Sequence, residues 1–365
     1  MLVGVEPNNV LRVFSRMDFK VASPSGASDF KSIIQKEFET LRLADLAAGR
    51  KFQAIAYSKF LAKLKTVPVV RTFEDVAEAA GKGKIAEKVR EIIETGALGA
   101  ATRAREETNV GAYEELLGVY GVGPVKAKAF VESGIGGVAD LRAAVAAGRV
   151  SLTDAQMLGL EHYEDILERI PRAEMDQHKD IIEDLSDPVL MDIAIVGSYR
   201  RGAENSGDID VLITMPPAAD IATHFSEYVD RMIEAGYITG VLAQGPTKCL
   251  AICQLPDGKA RRLDLLMIPR FEYAYALLYF TGSDQFNVAM RRWALEKGYT
   301  MNEYRMVPTR EGVPEPPRML KEQDIFRFLG LKYVVPTSRK GAEQVVAAGK
   351  PVKLVVLRSK TASKP

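Results

Sequence analysis

Between Phe30 and about Ala104, apolar residues return every three or four positions in FKSIIQKEFETLRLADLA, FQAIAYSKFLAKL and IAEKVREIIETGAL. That spacing lays one apolar stripe along a helix. TFEDVAEA (72–79) reads as a short helix with Thr72 as N-cap and Asp75 as its acid three residues on. A compact helical domain is expected here. In YEELLGVYGVGPVKAKAFVESGI (113–135) one helix breaks at Gly121-Val122-Gly123-Pro124 and another starts at once. Pro124 falls near its first position, where a missing N–H costs nothing. From about residue 189 the period drops to two. VLMDIAIVG, IDVLIT, YITGVLAQ, KCLAICQL and RRLDLLMI read as strands, with one long helix in ADIATHFSEYVDRMIEAG and a turn at Pro-Asp-Gly (256–258). Helices followed by strands predict an α+β protein in several segments. Residues 1–27, weakly periodic and turn-rich at ASPSGAS, read as an extension, and residues 337–365 as a tail that is basic at its end.

Composition changes this picture little. With 365 residues, 47% of them apolar and 27% charged, there is material for several cores. A formal charge of +1 makes no general case for a polyanionic partner. Residues 50–105, however, hold twelve Lys/Arg against six Asp/Glu, so that stretch could meet one. Cys249 and Cys253, four apart in an apolar strand, read as small buried hydrophobes in a reducing compartment. His162, His178 and His224 lack metal-ligand spacing. Neither a membrane-length apolar run nor a signal-peptide pattern is present, so a soluble intracellular protein is expected.

The chemistry concentrates in GSYRRGAENSGDIDVLIT, residues 197–214. A strand sends Asp208 and Asp210 to one face, where two partly buried carboxylates repel each other. A divalent cation, with its preference for carboxylate oxygens, resolves that conflict. Asp264, interrupting the apolar strand RRLDLLMI, is the candidate third acid, and three such groups can hold two metals. The rival reading is a salt-bridge network with Arg200, Arg201, Arg261 and Arg262. Upstream, Gly197 and Ser198 end a strand and open a short helix, which presents amides and a hydroxyl to phosphate oxygens. Arg201 adds a fork-shaped partner for the same phosphates. Gly121-Val122-Gly123 likewise exposes amides at a helix start. It resembles a helix-hairpin-helix, with Lys126 and Lys128 in the first turns of the second helix.

Together these motifs resemble the family X DNA polymerases of the beta type. ERIPRAEM (168–175), CQLP (253–256), RRLDLLMIP (261–269), YFTGSDQFNVAMRRWALEKGYTMNEY (279–304) and DIFRFLGLKY (324–333) follow the family in order and spacing, across roughly residues 30–335. The resemblance implies a helical lyase-like domain at 28–105, a helix-hairpin-helix subdomain at 106–165 and a nucleotidyltransferase palm with a mixed sheet at 166–276. A small α+β nucleotide-selection subdomain follows at 277–336. It implies a monomeric, template-directed polymerase that fills short gaps or nicks in DNA from dNTPs, using two Mg²⁺ ions, with a monovalent cation at the hairpin. If eukaryotic it would be nuclear, and if viral it would work in the virion or cytoplasm.

By the same resemblance Asp208, Asp210 and Asp264 hold metal, and Asp264 accepts the primer hydroxyl proton. Arg169, Gly197, Ser198, Arg201 and Gly207 serve the triphosphate and the metal loop, while Tyr279, Phe280, Gly282, Asp284 and Asn287 serve the sugar and base. Gly121, Gly123, Lys126, Lys248, Arg262 and Arg291 would touch DNA. Lys88 would be the Schiff-base nucleophile of a deoxyribose-phosphate lyase, with Lys84 on the 5′-phosphate and Tyr57 in the pocket. Two departures fall in that domain: a shortened hairpin at Ala80-Gly81-Lys82-Gly83, and Phe52-Gln53 where the family often has His-Lys. Template-independent nucleotidyl transfer and a non-catalytic DNA-end scaffold are the alternative functions.

Overall fold

The computed structural model describes residues 29–107, 109–217 and 219–349, so the expected extension at 1–27 lies outside it. The chain divides between Gly111 and Ala112 into two compact units.

The first unit is helical. It comprises α1 (Lys31–Ala47), α2 (Lys51–Leu64), a 3-10 turn (Glu74–Val76), α3 (Ala77–Ala80), α4 (Lys84–Thr95) and α5 (Gly99–Glu107). The apolar stripes read from the sequence meet in one core of Ile34, Phe38, Phe60, Leu64, Val89, Ile92 and Leu98. Phe38 and Phe60 set their ring centroids 4.5 Å apart. The expected 105/106 boundary falls inside α5. Thr72 is not an N-cap. Instead the Asp75 carboxylate reaches back to accept the amides of Arg71 at 2.8 Å and Thr72 at 2.9 Å. The Thr72 hydroxyl itself donates to that carboxylate at 3.4 Å. The shortened hairpin still turns, because Gly81 and Gly83 take left-handed φ of +63° and +95° between α3 and α4.

The division falls within the first turn of α6 (Val110–Gly118), which is followed in the second unit by α7 (Pro124–Glu132), joined through Gly121 at φ +76°. Three helices that carried no clear sequence signal follow: α8 (Val138–Ala146), α9 (Asp154–Glu161) and α10 (Tyr163–Leu167). Then come β1 (Ile170–Pro171), α11 (Arg172–Asp184), β2 (Asp192–Ile195), α12 (Gly197–Arg200), β3 (Asn205–Ser206) and β4 (Ile209–Thr214). The long helix α13 (Ile221–Glu234) leads into β5 (Ile238–Gln244), β6 (Lys248–Gln254) and β7 (Ala260–Met267).

The five larger strands form one mixed sheet in the order β2-β4-β7-β6-β5, parallel only between β4 and β7. Alternation decides its two faces. Ile209, Val211 and Ile213 pack with Met175 and Ile182 of α11 and Phe225, Val229 and Met232 of α13. On the opposite face Leu212 packs with Ala276, while Ile252 and Ala260 pack with Tyr120, Leu158 and Ile166. Asp210 and Asp264 stand on that opposite face, between the two coverings.

The remaining elements are α14 (Tyr273–Thr281), α15 (Asp284–Glu296), β8 (Tyr299–Met301), β9 (Met306–Pro308) and α16 (Glu322–Phe328). Their core includes Phe286, Met290, Met301 and Phe326. The expected tail is corrected over 337–349. Leu331 bridges to Ala347, and Arg339 is wholly buried, its guanidinium 5.6 Å from the Phe286 ring centroid and 5.5 Å from that of Phe326. Among the described residues no helix is long and apolar enough to cross a membrane.

Candidate active site

Parallel pairing of β4 with β7 sets Asp210 in register with Asp264, and β6 adds Leu250 opposite Asp264 in the same row. Asp208 lies just before β4. Burial first, then the charges of Asp208 and Asp264, pushes the Asp210 carboxyl up to about 7. Burial also raises Asp264, against the pull of Arg262. The Arg262 guanidinium stands between two of the acids, 3.1 Å from Asp208 and 3.6 Å from Asp264. This part of the expected salt-bridge network is real. Arg200 and Arg261 are committed elsewhere, to Glu322 at 2.8 Å and Glu174 at 2.6 Å. Among the described residues, no three His, Cys, Asp or Glu side chains already form a closed metal cluster. The donor set nevertheless fits a divalent cation: three carboxylates with excess negative charge share one face, and a guanidinium is drawn toward them.

The expected phosphate seat abuts these acids. β2 ends at Val196, and Gly197 at φ +59° opens α12. A Cβ on Gly197 would lie 2.6 Å from Asp210 Oδ2, so only glycine lets the helix start and the carboxylate approach this closely. Ser198 donates its hydroxyl to Ser206 Oγ at 2.9 Å. Arg169 reaches the β3 segment before β4, donating to Asn205 Oδ1 at 2.8 Å and Asn205 O at 3.0 Å. A Cβ on Gly207 would come within 2.8 Å of its guanidinium.

All ten residues expected to serve the nucleotide line one cleft of about 610 Å³, together with Asp208, Asp210 and Arg291. Such a volume suits a small phosphorylated ligand. Arg201 Nη1 donates to Thr281 O at 2.6 Å, and Asn287 Nδ2 to Tyr279 O at 2.7 Å, so α15 and the end of α14 are tied to the seat. The Tyr279 and Phe280 rings meet edge to face at 5.2 Å.

Gly121, Gly123 and Tyr120 line a second cleft of about 540 Å³ with Arg262. Lys126, on the helix that follows, is not free. Its ammonium binds Gln156 Oε1, and Gln156 Nε2 donates to Gly121 O at 2.6 Å, so the lysine braces the hairpin. Lys128 pairs loosely with Glu132 at 3.7 Å. Lys248 is exposed at the start of β6. In the first unit Lys84 is exposed and Lys88 half-buried on α4. Sequence reasoning missed Asn205, Ser206 and the Glu174–Arg261 pair. It also missed the buried set beneath Arg200, where Glu322 binds Arg339 at 2.6 Å and Thr281 accepts from Arg200. Only the ENS run between seat and acids signalled any of them.

The family model for the DNA polymerase beta palm matches residues 169–270, that for the DNA polymerase beta thumb 276–340, and that for the fingers domain of DNA polymerase lambda 114–167. DNA polymerase lambda of Rattus norvegicus is 34% identical over 344 residues, covering 87% of this chain and 58% of that protein. DNA polymerase lambda of Arabidopsis thaliana is 27% identical, covering 80% of this chain and 59% of that protein. DNA nucleotidylexotransferase of Gallus gallus is 28% identical, covering 76% and 61%. The chain thus spans less than two thirds of the length of these relatives.

Proposed function

Because the chain belongs to family X of the DNA polymerases, a membership that implies divalent-metal dependence, we propose that it is a template-directed polymerase filling short gaps during DNA repair. It would add a nucleotide from a dNTP to a primer 3′-hydroxyl and release pyrophosphate. The observation that carries this reading is the in-register pair Asp210–Asp264, set against the phosphate seat at Gly197. Asp208, Asp210 and Asp264 would hold two Mg²⁺ ions. When bound, these supply charge neutralisation for the attacking hydroxyl and the leaving pyrophosphate.

The chain's own groups do the rest. Amides at Gly197 and Ser198, with the guanidinium groups of Arg169 and Arg201, orient the triphosphate. Tyr279, Phe280 and Gly282 wall the sugar, while Asp284 and Asn287 face the base. Asp264, 3.6 Å from Arg262, accepts the hydroxyl proton. Arg262 then serves the primer phosphate, Lys248 the duplex, and Gly121, Gly123 and Lys126 the strand backbone, with a monovalent cation at the hairpin. Gapped or nicked DNA and a monomeric state belong to the same proposal, as does a nuclear location in a eukaryote.

Asp264→Ala should abolish extension on a one-nucleotide gap while DNA binding persists; normal extension by this variant overturns the proposal. Arg291, one turn beyond Asn287 at the cleft, supports a template contact over template-independent addition. Equal extension without a template strand would reverse that choice. For the helical unit we propose a deoxyribose-phosphate lyase with Lys88 as nucleophile and Lys84 on the 5′-phosphate. Borohydride trapping should fall sharply in Lys88→Ala.

A further inference from the structure

Arg261 is only 3% exposed, deeper than any role given to it above requires. Its Nε and Nη2 bind Glu174 of α11 at 2.6 and 3.0 Å, which satisfies its charge. The remaining nitrogen, Nη1, donates to the carbonyls of Asp165 at 3.1 Å and Glu168 at 3.3 Å. Asp165 lies in α10, where its carbonyl also takes the Glu168 amide at 3.2 Å, and Glu168 is the residue after the helix, past its last intrahelical donors. The start of β7 grips the same linker twice more. The Ala260 amide donates to Asp165 Oδ2 at 3.0 Å, and Lys259 pairs with Glu168 at 2.5 Å. The residue after Glu168 is Arg169. It is exposed, so packing does not fix its side chain. Where its guanidinium lies depends on where its backbone is held and on its bonds to Asn205.

We propose that Arg261, braced by Glu174, is a positioning residue for Arg169. It locks linker 165–168 so that Arg169 is presented to the phosphate seat. The proposal rests on reading the first cleft as a triphosphate site. A lysine could satisfy Glu174, but only a fork with a spare donor also reaches the linker carbonyls. One strand thus supplies Asp264 and the placement of a phosphate ligand contributed by another segment. Arg261 acts through Arg169, so its loss should weaken triphosphate binding rather than slow the chemistry.

The test is a double-mutant cycle of Arg261→Lys and Arg169→Ala. It reads the Kd of a non-hydrolysable dNTP analogue on gapped DNA, the KM for dNTP, kcat and DNA affinity. Arg261→Lys should raise Kd and KM about tenfold with kcat and DNA affinity within about threefold, as expected when a binding interaction is lost without a transition-state one. Added to Arg169→Ala it should cause no further loss. Additive losses overturn the proposal, as does an unchanged Kd. Glu174→Gln, which keeps an acceptor for Arg261, serves where Arg261→Lys folds poorly and should raise Kd in the same direction without adding to Arg169→Ala. Wild-type protein that binds no analogue overturns the cleft reading and this proposal together. Wild-type binding with additive variants overturns this proposal alone.

Discussion

Gly197→Ala isolates the close approach between the proposed phosphate seat and the acids. Alanine at φ +59° takes on left-handed strain of about 1–2 kcal/mol. Its Cβ would also start 2.6 Å from Asp210 Oδ2, so the carboxylate must retreat by about 0.8 Å to reach ordinary contact at 3.4 Å. Strain of that size lowers the melting temperature by roughly 2–8 °C at about 2–4 °C per kcal/mol. Displacement is the larger effect, since misplacing a reacting group by about 1 Å costs on the order of 100-fold in rate. Gly236→Ala is the matched control: it has φ +70° and nothing within 4 Å of the new methyl group. Both variants should melt a few degrees early. Only Gly197→Ala should lose about 100-fold in single-nucleotide gap filling. Extension by Gly197→Ala within threefold of wild type, or an equal loss in Gly236→Ala, would refute the reasoning.

Two further predictions concern stability. Glu322, 3% exposed, lies between Arg200 and the wholly buried Arg339. Glu322→Ala should cost about 3–5 kcal/mol in urea unfolding by leaving Arg339 uncompensated. Burial alone would raise the Glu322 carboxyl, but bonds from Arg200 and Arg339 hold it below its ordinary value. Its stabilisation is therefore complete above the unfolded carboxyl range and is lost as pH falls through the folded value; the urea midpoint of Glu322→Gln should fall less steeply on acidification. Burial pushes His178, whose Nδ1 meets the Tyr237 hydroxyl at 2.9 Å, down to about 4. A base lowered in the fold takes its proton first when unfolded, so stability should decline as pH drops from about 6.5 toward 4, by up to about 3 kcal/mol. Melting curves of His178→Gln should lack that component.

The acids were legible because strand alternation fixes a face, and because an aspartate interrupting an apolar run needs a reason to be there. The pairing that matches Asp210 with Asp264 was not, since a parallel pair between distant segments leaves no local trace. Arg262 gave itself away only as one charge among four; which carboxylates it would join depended on β7 lying beside the loop before β4. Arg339 was illegible. It sits among polar residues that read as tail, and its burial depends on Phe286, Phe326 and Glu322 arriving from other elements. Thr72 failed for a local reason: its hydroxyl donates to the Asp75 carboxylate at 3.4 Å, and the turn begins one residue later, with Phe73 at the cap. α8 to α10 were missed because their apolar stripes are short, and in α8 largely alanine.

The position of β4 and β7 within the sheet has a temporal consequence. Each is flanked by paired strands, whereas β5 and β2 lie at the edges. Amides at a sheet centre exchange with solvent only when the whole unit opens, while edges fray far more often. In heavy water, therefore, the amides around Asp210 and Asp264 should be among the last to take up deuterium, long after those of β5. The proposed catalytic geometry would then be stored among the slowest-opening strands, so that brief excursions of the margins leave the site's memory intact.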